Sequence, residues 1–192
     1  DVADRPIWVA ASTHSGEEEI VLSWQQQILS NPLLANTLLI IVPRHPERFD
    51  EVAELIEKSG LGMARRSAED AISANTQVYL ADSMGELMRW YALADVALVG
   101  GSLVDIGGHN PVEPASVATP VLMGAYTQSC QSVVDKLASV GALYQPNNAF
   151  YSAINANGQA LQPHCSDGKQ SSSDDDYNLL YQHLTYSLRH LT

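Results

Sequence analysis

The 192-residue sequence holds only two cysteines, Cys130 and Cys165, and they stand far apart. That excludes a disulfide framework and a structural zinc site built on paired thiols, and it predicts two free thiols in a reducing compartment. Basic residues are scarce: 10 Lys and Arg face 22 Asp and Glu, for a formal net charge of −12. So acidic a chain offers no basic face to a nucleic-acid backbone, which argues against DNA or RNA as a partner. A mononucleotide ligand stays open, because its site needs only a few local donors. No apolar run approaches the ~20 residues that span a bilayer, and no signal-peptide pattern is visible. Internal repeats, a Walker lysine and the dinucleotide-binding glycine fingerprint are all missing. Asp1 to Pro6 runs at once into an apolar strand and reads as a linker remnant at the edge of an excised piece.

What is present suffices for an ordinary core. The chain is 45% hydrophobic and 17% charged, within the globular range. Ile7-Trp8-Val9-Ala10-Ala11 and Leu38-Leu39-Ile40-Ile41-Val42 are apolar without alternation, as in strands buried on both faces. Val78 to Ala81, Val96 to Val99, Pro120 to Gly124 and Leu143-Tyr144 are further strands, and Met63 to Arg66 is a weak one. Helical spacing separates them: Ile20, Val21, Trp24 and Ile28; Phe49, Val52, Ala53 and Ile56; Leu87, Met88 and Tyr91; Val133, Val134, Leu137 and Ala138. About six strand–helix alternations predict an α/β fold, a Rossmann-like, doubly wound parallel sheet over residues 7–146. Residues 147–176, rich in Ser and Asp from Cys165 on, read as an irregular or flexible insertion. Residues 177–192 return to a helical pattern.

The stretch Val99 to Pro114 organises the chain. It reads as strand, glycine loop, helix start. Asn110 suits an N-cap, Pro111 the first turn, and Glu113 the carboxylate of a capping box. Glu113 has a second reading, because a carboxylate there can accept both hydroxyls of a ribose. In doubly wound sheets ligands bind beyond the carboxyl ends of the strands. Four unusual loops follow strands here: Ser12-Thr13-His14, Pro43-Arg44-His45, Ser83-Met84-Gly85-Glu86, and Gly100 to Glu113. Arg44 is the only Lys or Arg in these loops. Its planar donor fork fits a phosphate or carboxylate; a surface ion pair with Glu47 or Asp50 is the plainer reading. Three acids, Glu17 to Glu19, open a helix as its dipole favours. His14, His45 and His109 suit tautomer-fixed hydrogen bonding better than a metal, since no two stand at i, i+4 on one helix. No Ser-His-Asp arrangement can be assigned.

Together these loops resemble one family, the Kdo (3-deoxy-D-manno-octulosonic acid) transferases of lipopolysaccharide assembly, which have the two-domain GT-B fold. The matching motifs are Ser12-Thr13-His14 with Gly16 to Glu19, Pro43 to Phe49, Asp82 to Leu87, and Gly100 to Val104 with Gly107 to Ala115. The resemblance implies the C-terminal, donor-binding half of an inverting glycosyltransferase that moves Kdo from CMP-Kdo to a lipid A precursor. It implies no bound metal and no cofactor. Carried over by motif, the CMP contacts are Pro43, Arg44, Met84, Gly85, Glu86, Asn110, Pro111, Val112 and Glu113, with Thr13, His14, Gly101, Ser102 and His109 as further candidates. No catalytic residue is expected here, because the family's general base and acceptor groove belong to an N-terminal domain. The full-length enzyme is expected at the cytoplasmic face of the bacterial inner membrane, and this fragment soluble, without inserting. Rival readings are a UDP-sugar transferase or epimerase of the same fold, and a non-catalytic binding module.

Overall fold

A computed structural model describes residues 5–145. Asp1 to Asp4, the segment 147–176 and the helix expected over 177–192 lie outside the described residues. The elements are β1 (Ile7–Thr13), α1 (Glu17–Leu29), β2 (Leu38–Pro43), α2 (Phe49–Ser59), β3 (Met63–Arg65), β4 (Val78–Leu80), α3 (Leu87–Leu93), β5 (Val96–Val99), α4 (Val112–Ser116), β6 (Val121–Leu122), α5 (Gln131–Ser139) and β7 (Leu143–Tyr144). A single turn of tighter helix, Pro46–Arg48, leads into α2.

The strands form one seven-stranded sheet in the order β3-β4-β2-β1-β5-β6-β7. Every neighbouring pair is parallel. The seventh strand is the weak Met63–Arg65 run, which pairs with β4 at the sheet edge and buries only Ala64. A short edge strand has little apolar pattern to announce it. β1 is central, and Trp8 and Ala10 pack in one core cluster with Val21, Ile28, Val52 and Ile56 of α1 and α2. Its other residues, Ile7, Val9 and Ala11, pack in a second cluster with Trp90 and Tyr91 of α3. Successive side chains of a strand point to opposite faces, so helices cover both faces and the sheet is doubly wound. A third cluster around Val99, Val121 and Met123 packs on Val134 of α5.

Gln25 pins the end of the sheet opposite the strands' carboxyl termini. Its carbonyl accepts the Trp8 indole N–H at 2.8 Å, and its amide donates to the carbonyls of Thr37 and Gln77, both at 2.9 Å. Thr37 and Gln77 immediately precede β2 and β4, so one buried amide ties the starts of two strands to β1. Gln25→Leu leaves an indole N–H and two carbonyls without this partner, and each orphaned buried group costs about 1–3 kcal/mol. Urea unfolding of the variant should therefore show a loss of about 2–5 kcal/mol. A loss within the error of the fit contradicts the assignment.

Candidate functional site

All strands run in one direction, so their carboxyl ends share one edge. The chain leaves β1 for β2 on one side and returns through α3 to β5 on the other. The loops after β1 and β5 therefore flank the crevice where the winding reverses, the usual ligand position in such sheets.

Glu17 ties these loops together. Its side chain is fully buried. Oε2 accepts the backbone N–H groups of His14 at 2.9 Å and Gly101 at 2.8 Å. Oε1 accepts those of Ser102 at 3.1 Å and Leu103 at 2.9 Å. A buried carboxylate is costly unless it is hydrogen-bonded, and four charge-assisted bonds offset that cost. Glu18 is equally buried and forms a two-pronged ion pair with Arg48, at 2.7 and 3.3 Å. The acids at the start of α1 thus do more than complement a helix dipole: two of the three are interior struts. Beneath them the backbones of β1 and β5 touch. A Cβ on Gly100 would lie 2.4 Å from the Ser12 carbonyl oxygen, and Ser12 itself sits at φ 56° where the β1 register shifts.

The glycine loop then folds back. Gly108 N–H donates to Gly101 O at 2.7 Å and His109 N–H to Gly100 O at 3.1 Å. This returns His109 to His14, with Nε2 atoms 2.7 Å apart, and His45 meets the His14 ring edge-on at 5.4 Å between centres. Three loops distant in sequence thus bring their histidines together. Burial lowers the pKa of both His14 and His109, and Arg44 and His45 add to the lowering at His109. Among the described residues no group of three His, Cys, Asp or Glu side chains is arranged to hold a metal. The Ser102 hydroxyl is occupied structurally, donating to Val99 O at 2.5 Å and accepting from Gly124 N–H at 3.0 Å. Thr13 is buried with its hydroxyl unpartnered.

Pro43 ends β2 in a buried position, and Arg44 N–H donates to Thr13 O at 3.0 Å, locking the second loop to the first. The Arg44 side chain is exposed, and its guanidinium has no hydrogen bond or ion pair among the described residues. The alternative reading, a surface ion pair with Glu47 or Asp50, does not form. Asp50 pairs instead with Arg65 at 2.9 Å, and Glu47 stands 3.8 Å from His45. Arg44 is also not the sole cation at this edge. Arg66 follows β3 and pairs with Glu86 at 3.0 and 3.2 Å. That contact escaped the sequence reading because β3 itself was faint. Glu86 further accepts the Ser83 hydroxyl at 2.5 Å, and the two partners, Arg66 first, pull its pKa down to about 2. The carboxylate braces the Met84–Gly85 turn, where Met84 is 64% exposed.

α4 begins one residue later than the sequence suggests: Pro111 holds its N-cap position without a side-chain cap, and Asn110 Oδ1 accepts the Val112 N–H at 3.1 Å in the turn just before it. The capping box does not form. Glu113 is exposed with no side-chain hydrogen bond among the described residues, so its oxygens are free. Pro111 is buried and Val112 exposed. α4 packs against α3, the helix that follows the Met84 turn, and the Glu113 charge reaches Tyr91 there, adding to the burial that raises the Tyr91 pKa.

Replacing Glu17 by Gln removes the charge and turns an N–H₂ group towards backbone donors. Bonds to a charged acceptor contribute about 1.5–3 kcal/mol each, so the variant should lose about 3 kcal/mol or more. Hydrogen exchange should lose protection at the Gly101, Ser102 and Leu103 amides first. Unchanged protection there contradicts the clamp.

No family model matches the chain. It is 48% identical over 145 residues to the 3-deoxy-D-manno-octulosonic acid transferase of Haemophilus influenzae, covering 76% of this chain and 34% of that protein. It is 38% identical over 149 residues to the transferase of the same name from Bordetella pertussis, covering 74% and 34%. The chain thus spans about a third of the length of these curated relatives. Among solved structures it is similar to the C-terminal CMP-Kdo binding domain of WaaA from Acinetobacter baumannii, at 34% identity and a TM-score of 0.75, over 99% of this chain and 86% of that one. A match of that extent, on the same fold and together with the sequence relatives, places the chain in the 3-deoxy-D-manno-octulosonic acid transferase family, in the region of its C-terminal domain.

Proposed function

We propose that this chain is the donor-binding half of a Kdo transferase and holds CMP-Kdo at the carboxyl edge of its sheet. The observation that carries the reading is a pair of unpartnered charges at that edge. Arg44 offers an unpaired guanidinium and Glu113 an unpaired carboxylate, while Arg48, Arg65 and Arg66 are all paired with acids. A guanidinium suits the phosphate of CMP, and a carboxylate suits the two ribose hydroxyls. The exposed Met84–Gly85 turn, braced by Glu86, offers apolar surface and backbone groups to the cytosine. Pro43, Asn110, Pro111 and Val112 shape the intervening wall.

In the reaction this implies, an acceptor hydroxyl of a lipid A precursor attacks the anomeric carbon of Kdo. The bond from that carbon to the phosphate oxygen breaks, and the configuration inverts. CMP leaves with the electron pair, and the hydroxyl proton passes to a general base supplied by another domain. This chain's part is to fix the donor and stabilise the charge that develops on the departing phosphate, work that preorganised donors do well. It needs no metal or cofactor in this account. The full-length enzyme works at the cytoplasmic face of the bacterial inner membrane, with nucleic acid as no partner, and this chain alone transfers nothing. No helix among the described residues is long and apolar enough to cross a membrane.

Calorimetric titration of the chain with CMP, UDP and GDP tests the reading. CMP should bind most tightly. Arg44→Ala and Glu113→Ala should each weaken CMP about ten- to hundredfold, the equivalent of about 1.5–3 kcal/mol, with the melting temperature unchanged. UDP selectivity favours the sugar-diphosphate rival, and no binding favours the non-catalytic module. Normal CMP binding by both variants places the site elsewhere.

A further inference from the structure

The His14–His109 contact has a geometry that assigns its proton. The Nε2 atoms are 2.7 Å apart. The ring planes differ by 8° and the centres are 5.0 Å apart. Rings laid face to face do not combine that centre distance with so short an N···N approach. Two imidazoles in nearly one plane, joined end to end by a single N–H···N bond, do. One proton therefore lies on the line between them. The ring that donates it has a bare Nδ1, and the ring that accepts it carries its own proton on Nδ1. The pair can gain one further proton, on the bare Nδ1, without breaking the bond. It then presents two Nδ1–H donors and one positive charge. A fourth proton would break the bond. The spacing also argues against a shared metal, since two nitrogens on one tetrahedral zinc stand about 3.3 Å apart.

Neither Nδ1 has a hydrogen bond among the described residues, and neither is sealed from solvent. The groups that face the pair are known. Glu17 and Glu18 favour protonation of His14, while His45 and Arg48 oppose it. At His109 the opposing groups are His14, Arg44 and His45. Burial opposes the charge on both rings. At rest the pair is neutral near pH 7, and the free Arg44 helps to keep it so. An anion seated at Arg44 cancels that repulsion, so anion binding and proton uptake must favour each other.

We propose that the joined His14–His109 pair is an acid-group subsite of the donor site, receiving an oxyanion of the nucleotide sugar at one of its two outward-pointing Nδ1–H groups and gaining one proton as it does so. This rests on the reading of the edge as a CMP-sugar site. The oxyanion is either the phosphate or the sugar carboxylate.

Histidine ring protons of the 192-residue chain, followed by NMR from about pH 5 to about pH 8.5, test this. His14→Gln and His109→Gln assign the two rings. The free chain should show both rings titrating together in one coupled step, below the pH of an ordinary histidine. Saturating CMP should raise that midpoint by about one unit, which corresponds to about tenfold tighter anion binding by the protonated pair. Each variant should weaken CMP about three- to fivefold at about pH 6 and much less at about pH 8. The CMP phosphate itself changes charge at about pH 6, so CMP is kept saturating at every pH and the ring protons are compared with those of the free chain. A midpoint raised by CMP alone identifies the phosphate as the group bound. One raised only when free Kdo accompanies CMP identifies the sugar carboxylate. Rings that titrate independently, or a midpoint that neither ligand moves although CMP binds, overturn the subsite and leave the donor site standing. Failure of CMP to bind at all overturns both. If either variant unfolds, the wild-type titration decides alone.

Discussion

The Glu17 carboxylate accepts one N–H from its own turn and three consecutive ones from a loop that begins 84 residues later. The other arrangements at the sheet edge follow from it. With the Gly101, Ser102 and Leu103 amides fixed, the carbonyls of Gly100 and Gly101 are fixed as well, and they receive the N–H groups of His109 and Gly108. His109 then meets the ring of His14, whose backbone N–H is held by the same carboxylate. The close approach beneath, where the Gly100 backbone meets the Ser12 carbonyl, admits no side chain. Donor loops that are positioned before the ligand arrives lose less entropy on binding it.

Around this clamp the charges are sorted. Glu18 and Arg48, Arg65 with Asp82 and Asp50, and Arg66 with Glu86 form closed pairs. Each holds a turn that leads into or out of a strand: the entrance to α2, the ends of β3 and β4, the start of α3. Two charged groups at the same edge, Arg44 and Glu113, have no such work. A net charge of −12 makes an unpaired cation stand out, because acids are abundant and this one is left without any. An anionic ligand with vicinal hydroxyls would complete both groups.

Much of this was legible in the sequence, and the division is physical. Unbroken apolar runs such as Leu38 to Val42 announce strands buried on both faces, and each ends on a loop with unusual chemistry. The fold class and the set of loops at one edge followed directly, whereas for Arg44 an anion site and a surface ion pair were both open. What escaped are polar residues whose partners are remote. Glu17, Glu18 and Gln25 look like the solvent side of an amphipathic helix, and nothing local reveals that a loop from β5, an arginine before α2 and two strand entrances converge on them. Glu113 failed as a capping partner because α4 starts at Val112 with Pro111 at its N-cap, one residue later than the spacing from Asn110 suggests. The three histidines read as hydrogen-bonding groups in the sequence, but which of them pair does not follow from spacing, because only the fold-back of the glycine loop brings His109 to His14. Arg66 was hidden by the faintness of its three-residue edge strand.

A crystal structure of the chain with CMP tests the account most directly. The phosphate should accept hydrogen bonds from Arg44, both ribose hydroxyls should donate to Glu113, and the cytosine should lie against the Met84–Gly85 turn. CMP bound away from the crevice between β1 and β5, or bound there with Arg44 and Glu113 both untouched, would contradict it.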